Sequence, residues 1–525
     1  MWRVVAVLGA LCGVVAVFLP GGAIRPDRPD VGVALVAGGL VVAAVLSFAG
    51  ARVGRVLGVV VAGVAAGFAV VWLVGDVVSG APGSGTPVLA VGAVVAVVTG
   101  LLAVLGRAAV GPVLAAAVVV VVAGGAVAGA VVVPGSRTES VTAEQVTPAA
   151  VTGKPTGERW QWKAPSEPRA VVAAGAGVVV ATVGGEVTAL DGRTGAARWS
   201  YLRRGTHVRD LVATPGGGLV LVALAPGGPH DTESNLLVVL DAVTGAVVHE
   251  QVVDALLSDV DGLVPTADVL PLRERRGDDF VTTATDLRTG EQVWTWSAPA
   301  GCRSDFALPA SGRDVALAPF ECPDRIGVVA LDQRTGRQRW ERTLGLDPAI
   351  SSDEVPRFML AASPDGGVVS VRLSSPRATT SEDVLLRADT GELLTSVDGG
   401  LFPRLDTGPI PVLELQANAQ PTRSEAVDPS SGKTTPLDLT TCPSRIADAT
   451  TTSTYLRVCG AKDTASLVWQ PLAGGPASTA PLDRPESESG IGGLLGGGTT
   501  ALVPAPGAVV VARATDLAVV GFPTS

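Results

Sequence analysis

The chain has 525 residues and a formal net charge of −10, from 39 Lys and Arg against 49 Asp and Glu. That length exceeds one ordinary domain, so at least two units are expected. Mean hydropathy is +0.43, high for a soluble protein, and the acidic balance argues against nucleic-acid binding because it repels phosphate backbones.

The apolarity is concentrated at the N-terminal end. Between Met1 and Val133 the charged side chains are Arg3, Arg25, Asp27, Arg28, Asp30, Arg52, Arg55, Asp76 and Arg107. Five apolar runs, at about 4–19, 31–49, 56–74, 88–106 and 113–133, each approach the roughly 20 residues that a helix needs to cross the hydrocarbon core. Residues 1–133 are therefore expected to form a five-helix transmembrane bundle in contact with the lipid bilayer. With the N-terminus inside, Arg3, Arg52, Arg55 and Arg107 face the cytoplasm, in keeping with the positive-inside rule. An odd number of spans then places everything after Val133 outside the cytoplasmic membrane. No A-x-A cleavage site follows the first run, so it is expected to be retained.

The interiors of the five runs hold no Asp, Glu, Lys, Arg or His. Intramembrane ionisable residues are the usual mark of a transport path, so the bundle reads as an anchor. Asp76, at the end of its run, is expected at the interface. Gly63 and Gly67, and Gly125 and Gly129, have the spacing that permits close helix contacts. Lysine is confined to positions 154, 163, 433 and 462 while Ala, Val, Gly and Arg abound, a usage that resembles GC-rich bacterial coding.

Residues 134–156 are rich in Pro, Thr, Ser, Glu and Lys without a hydrophobic period, and read as a tether. From residue 157 to 525, short alternating Val/Ala/Leu runs broken by Gly, Pro, Asp and Ser predict an all-β domain. One motif recurs there. Asp191-Gly-Arg-Thr-Gly195, Asp241-Ala-Val-Thr-Gly245, Asp286-Leu-Arg-Thr-Gly290, Asp332-Gln-Arg-Thr-Gly336 and Asp428-Pro-Ser-Ser-Gly432 all fit D-x-x-[ST]-G. Arg387-Ala-Asp-Thr-Gly391 keeps Thr-Gly and loses the leading Asp, and a degenerate seventh copy falls at 469–474. Asp can cap such a turn and Gly can take its positive φ. Trp199, Trp294 and Trp340 each follow their glycine by four residues, as apolar plates for packing against a neighbouring sheet. A period of roughly 40–50 residues with four short strands per unit is the spacing of propeller blades.

The repeats resemble those of the PQQ-like (quinoprotein dehydrogenase-like) propeller family, whose blades read A-L-D-x-x-T-G-x-x-x-W; the match is clearest at 187–199 and 328–340. That family includes quinoprotein dehydrogenases and a non-enzymatic lipoprotein that helps insert outer-membrane proteins. The resemblance implies an eight-bladed wheel. Seven turns are countable, 507–522 is left over, and Thr156-Gly157-Glu-Arg-Trp160-Gln-Trp162 looks like the tail of a repeat. Joining these ends gives eight blades, with seven as the alternative.

Cys12 lies in the first apolar run. Cys302, Cys322, Cys442 and Cys459 form two pairs, and an even count in an extracytoplasmic domain points to disulfides, four free thiols being the alternative. His249 stands where other repeats have Trp, which favours packing. The chain lacks the adjacent cysteines of the family's dehydrogenases, and repeat aspartates placed one per blade do not converge on one centre. No G-x-S-x-G, H-E-x-x-H or P-loop occurs. No catalytic residue, metal ligand or cofactor is assigned. The expected function is a membrane-anchored scaffold binding an envelope protein or polymer, with a quinone- or small-ligand-dependent oxidoreductase or sensor as the alternative.

Overall fold

In the computed structural model the described residues are 2–19, 31–48, 52–78, 85–105 and 138–524, less 157, 205, 227–233, 255–262, 277–278, 305–309, 348–356, 378–381, 398–399, 418–419, 443, 462–463, 483–499 and 514–516. The run at 113–133, with Gly125 and Gly129, lies outside them.

Among the described residues four helices precede the β domain: α1 (Trp2–Phe18), α2 (Val31–Phe48), α3 (Arg52–Val78) and α4 (Gly85–Leu105). α4 packs against α1 and α3, and α2 against α3. Their shared interior is small: Ala16, Ala43, Ala62, Ala65, Ala69, Ala90, Ala93 and Ala96 surround Leu40 and Leu89. The large side chains Leu8, Leu11, Leu35, Val45, Leu57, Val64 and Val71 point outward. Backbones approach closest where two glycines meet, since a Cβ on Gly9 would stand 2.9 Å from the Gly92 carbonyl oxygen. Gly63 and Gly67 are not such a contact; nothing lies within 4 Å of a Cβ placed on either. Asp76, expected at the interface, lies near the end of α3. It is buried, and the Thr86 hydroxyl donates to it at 2.6 Å. One stretch, Val53–Val74, is long and apolar enough to cross a membrane by itself, whereas Ala6–Phe18, Val31–Leu46 and Gly85–Leu101 are shorter. Five spans thus become four described helices, one of them of spanning length.

The β domain is an eight-bladed propeller. Eight antiparallel sheets follow in chain order: blade 1 at 168–203, blade 2 at 206–254, blade 3 at 269–297, blade 4 at 310–345, blade 5 at 357–396, blade 6 at 402–436, blade 7 at 445–482 and blade 8 at 500–523. Blade 8 takes its outer strand, Trp160–Lys163, from the other end of the domain; Trp160 pairs with Gly521 and Trp162 with Val519. That shared sheet closes the ring and decides for eight blades over seven.

A blade has a neighbour on each face, so both faces of its inner strands must be apolar. In Gly177–Thr182 every residue is buried. Val178 and Val180 enter a core shared with blade 8, and Val179 and Ala181 a core shared with blade 2. This two-sided demand, combined with the period of two along a strand, is why the sequence reads Val-Val-Val there instead of alternating with polar residues.

The segment expected as a tether is bound to the propeller over its described part. Thr138–Val141 adds a fifth strand outside Ala197–Arg203 of blade 1. Farther on, the Ala143 amide donates to the Thr244 carbonyl oxygen, Val151 bridges Pro506, and Pro155 bridges Thr524. Its Thr- and Pro-rich composition gives an extended chain, and an extended chain suits the open N–H and C=O groups of a sheet edge.

Candidate functional site: repeat turns and blade seams

The repeat motif folds as a turn between the third and fourth strands of a blade. Asp191 Oδ1 accepts from the amides of Arg193 and Thr194, both at 3.1 Å, and from the Thr194 hydroxyl at 3.0 Å. Asp241, Asp286, Asp332 and Asp428 cap their own turns in the same way. Gly195, Gly245, Gly290, Gly336, Gly391 and Gly432 have φ between +64° and +73°. Burial would raise the Asp332 carboxyl, but bonds from Arg339 and Thr335 and from the Thr335 and Arg334 amides hold it down at about 2. Hydroxyls of Ser430 and Ser431 likewise hold Asp428 at about 2.

Each Trp that follows a motif serves the next blade. Trp199 Nε1 donates to the Ala242 carbonyl oxygen at 3.0 Å, Trp294 to Gln333 at 2.8 Å, and Trp340 to Ala388 at 3.0 Å. The indole faces lie against Gly245, Gly336 and Gly391, where a Cβ would stand 2.6–2.7 Å from ring atoms. His249 occupies the same slot against Gly290. Trp160, in the segment that resembles the tail of a repeat, is a further member of the set. From the closing strand it donates to the Gly192 carbonyl oxygen at 2.8 Å and covers Gly195. The latch therefore runs across the ring closure. After Gly391 and Gly432 the equivalent positions are Thr395 and Pro436, and no indole spans the boundary of blade 6 with blade 7.

Both cysteine pairs are bonded, Cys302 to Cys322 and Cys442 to Cys459. Arg303 bridges Glu321, and Arg445 pairs with Cys459, so each disulfide staples the innermost hairpin of its blade, in blades 4 and 7. Cys12 is a free thiol on α1.

Several charged groups are packed between blades. Between blades 1 and 2, Arg203 Nη1 lies 2.7 Å from Glu250 Oε2, and the Tyr201 hydroxyl donates to Glu250 Oε1 at 3.3 Å. Burial, then the Glu250 charge, push Tyr201 up to about 12. The seam of blades 6 and 7 is richer. Arg404 contacts Glu414 at 3.5 Å and Asp448 at 3.3 Å; Arg445 contacts Asp448 at 3.1 Å and Glu414. The Tyr455 hydroxyl donates to Asp448 Oδ2 at 3.2 Å, and burial followed by the Asp448 charge raises its pKa. Arg457 Nη2 donates to Thr441 Oγ1 at 2.8 Å. Its guanidinium carbon lies 5.2 Å from the Tyr455 ring centroid. None of these residues was singled out from the sequence, because isolated Arg and Glu in strands read as solvent-facing.

Two open hollows lie beside the repeat turns. One, about 380 Å³, is formed by Ala143, Glu144 and Val146 of the bound segment with Asp191, Thr194 and Arg198 of blade 1. The other, about 370 Å³, lies among the turns of blades 4, 5 and 6, lined by Arg313, Asp314, Gly366, Gly367, Arg387, Asp389, Pro429 and Ser430. It falls at the repeat that lost its leading Asp, where the Arg387 guanidinium donates to the Ser430 carbonyl oxygen. Among the described residues no group of three or more His, Cys, Asp or Glu converges as metal ligands would.

Comparison with known proteins places the likeness in the ring. Residues 205–385, blades 2 to 5, match the family model described as outer membrane protein assembly factor BamB. No curated protein matches the chain. Among solved structures, the computationally designed Ika8 protein aligns with 69% of this chain and 98% of its own, at 14% identity and a TM-score of 0.40. The dihydro-heme d1 dehydrogenase NirN, in complex with DHE, aligns with 61% of this chain and 67% of its own, at 15% identity and a TM-score of 0.32.

Proposed function

We propose that the protein is a membrane-held, extracytoplasmic propeller that acts as a binding or assembly scaffold at the cell envelope, without a catalytic centre of its own. The observation that carries the reading is the match of blades 2 to 5 to the BamB family model. The local chemistry agrees with it. The repeat aspartates, the residues most often repeated, are each spent on their own turn, which leaves them as structural caps distributed around the ring.

Two further observations support the location. The helices keep alanine inside and put leucine and valine outside, the arrangement of helices that associate in an apolar medium. Disulfides in both blade 4 and blade 7 belong to an oxidising compartment. The partner is an envelope protein or polymer, and the turn face, with its hollow at Arg313 and Asp389, is the surface offered to it.

The test is photo-crosslinking in intact cells from probes at Arg313 and Asp389, with probes at exposed outer-strand positions such as Val247 as controls. A discrete envelope adduct from the turn face alone is expected. Recovery of the full chain in the soluble fraction, or adducts equal from all positions, would refute the reading.

A further inference from the structure

Arg457 lies on the strand Thr454–Ala461 of blade 7, two residues beyond Tyr455, which packs with Ile410, Val412 and Ala426 of blade 6. Alternation along a strand puts Arg457 on that same face, and the residue is 1% exposed. The ion pairs beside it are already closed. Arg404 and Arg445 each contact both Glu414 and Asp448, two cations on two anions. Asp406, which Arg404 also holds, and Asp438 stand exposed at the rim, where water screens them. Arg457, cross-strand from Asp448, is the buried guanidinium that makes no ion pair of its own among the described residues.

Its hydrogen bonding is also incomplete. Nη2 has Thr441, while Nε and Nη1 have no acceptor among the described residues. On the opposing wall, Ser424 lies cross-strand from Glu414, is 2% exposed and has an unpartnered Oγ. Gln470, cross-strand from Tyr455, lacks a donor to its Oε1; turning the amide over would present an N–H instead. A buried guanidinium with two of its N–H groups unpaired and no ion pair of its own is disfavoured.

We propose that the seam between blades 6 and 7 binds one small monovalent inorganic anion, of the chloride class, held by Arg457 Nε and Nη1 and by Ser424 Oγ. The charge of the ligand is set by the single surplus guanidinium. Its size is set by the walls, since Glu414, Ser424 and Arg457 are each at most 2% exposed and give an organic carboxylate no way to keep its chain in water. The anion fastens a blade boundary that has no Trp latch and where the repeat pattern fades.

The experiment uses the full-length protein in detergent, desalted and followed by tryptophan fluorescence during thermal unfolding. Sodium chloride or bromide is compared with sodium gluconate at equal ionic strength. A saturable rise in Tm of about 2 °C or more is expected in the halides alone. Ser424→Ala should shift the midpoint of that rise to higher halide, and Arg457→Met should abolish it. Crystals of the wild-type protein in bromide should give an anomalous peak beside Arg457, a readout independent of how the variants fold. Equal Tm in halide and gluconate, a halide effect surviving in Arg457→Met, or a water without an anomalous signal at Arg457 would each overturn the proposal.

Discussion

The indole of Trp199 in blade 1 covers Gly245 in blade 2 and donates its N–H to the Ala242 carbonyl oxygen at 3.0 Å. Two demands fall on that glycine together. Its φ of +73° disfavours any side chain, and a Cβ there would stand 2.6 Å from the ring.

Trp199→Ala should lower stability by about 3–5 kcal/mol, the usual range for emptying a buried Trp site. Trp199→Phe should lose less, about 1 kcal/mol for the bond to Ala242 in addition to the lost ring area. Gly245→Ala should destabilise although it adds only a methyl group, through strain and overlap together. Urea midpoints of the three variants should therefore place Phe above Ala at position 199. The reverse order would show that ring packing at this seam does not stabilise the protein.

Closure of the ring rests on four residues. An ectodomain beginning before Thr156 should fold without the helices, whereas one beginning at Pro168 should aggregate or melt markedly lower, because loss of Trp160–Lys163 bares an edge in blade 8 and uncovers Gly195. Equal melting temperatures for the two would show that closure does not need the strand.

Reduction should act blade by blade. The disulfides span separations of 20 and 17 residues, for which chain-entropy estimates give about 3 kcal/mol each. Non-reducing peptide mapping should recover Cys302–Cys322 and Cys442–Cys459. In hydrogen exchange, Cys442→Ser should raise the rates of blade 7 more than those of blades 1 to 3, and uniform acceleration around the ring would contradict this local view.

The chain has two tyrosines, both buried and both with pKa values raised, Tyr201 to about 12. A free tyrosine titrates near 10. Because the folded value is the higher one, the stabilisation is full below about pH 10 and is lost as pH rises towards about 12. Ultraviolet titration at pH 10.5 should detect almost no tyrosinate in folded protein and about three-quarters conversion after addition of guanidinium, with alkaline unfolding and ionisation coinciding. A tyrosinate signal near pH 10 in folded protein would mean that one of these rings is open to water.

Asp332 behaves in the opposite sense. Its folded value of about 2 lies below the ordinary value of about 3.9, so its stabilisation is present above about pH 4 and is lost as pH falls towards 2. Asp332→Asn should be less stable than wild type at pH 7, and the gap should close below pH 3. A gap that persists unchanged at pH 2 would assign the effect to turn geometry alone.

Much of this architecture was legible in one dimension because its causes are local. An Asp that caps its own turn and a glycine at positive φ act within five residues, and a Trp recurs in phase with them, so their period exposed the blades. The cysteine pairs were readable for the same reason, each lying across a single hairpin. What joins distant segments was not readable. The bound segment around Thr138–Val141 looked like a tether because extended Thr/Pro-rich chain has the same composition whether free or paired. The Gly63 and Gly67 pair was misplaced because helix facing depends on neighbours, which small residues leave open on every side. The partner of Trp160 lies 32 residues away at Gly192, and Arg445 meets Glu414 only because two blades are stacked. Apolar periodicity and turn chemistry are properties of consecutive residues, so the sequence alone determined helices, blades and disulfides; which charges are buried together is a property of the closed ring, and the tertiary structure alone decided it.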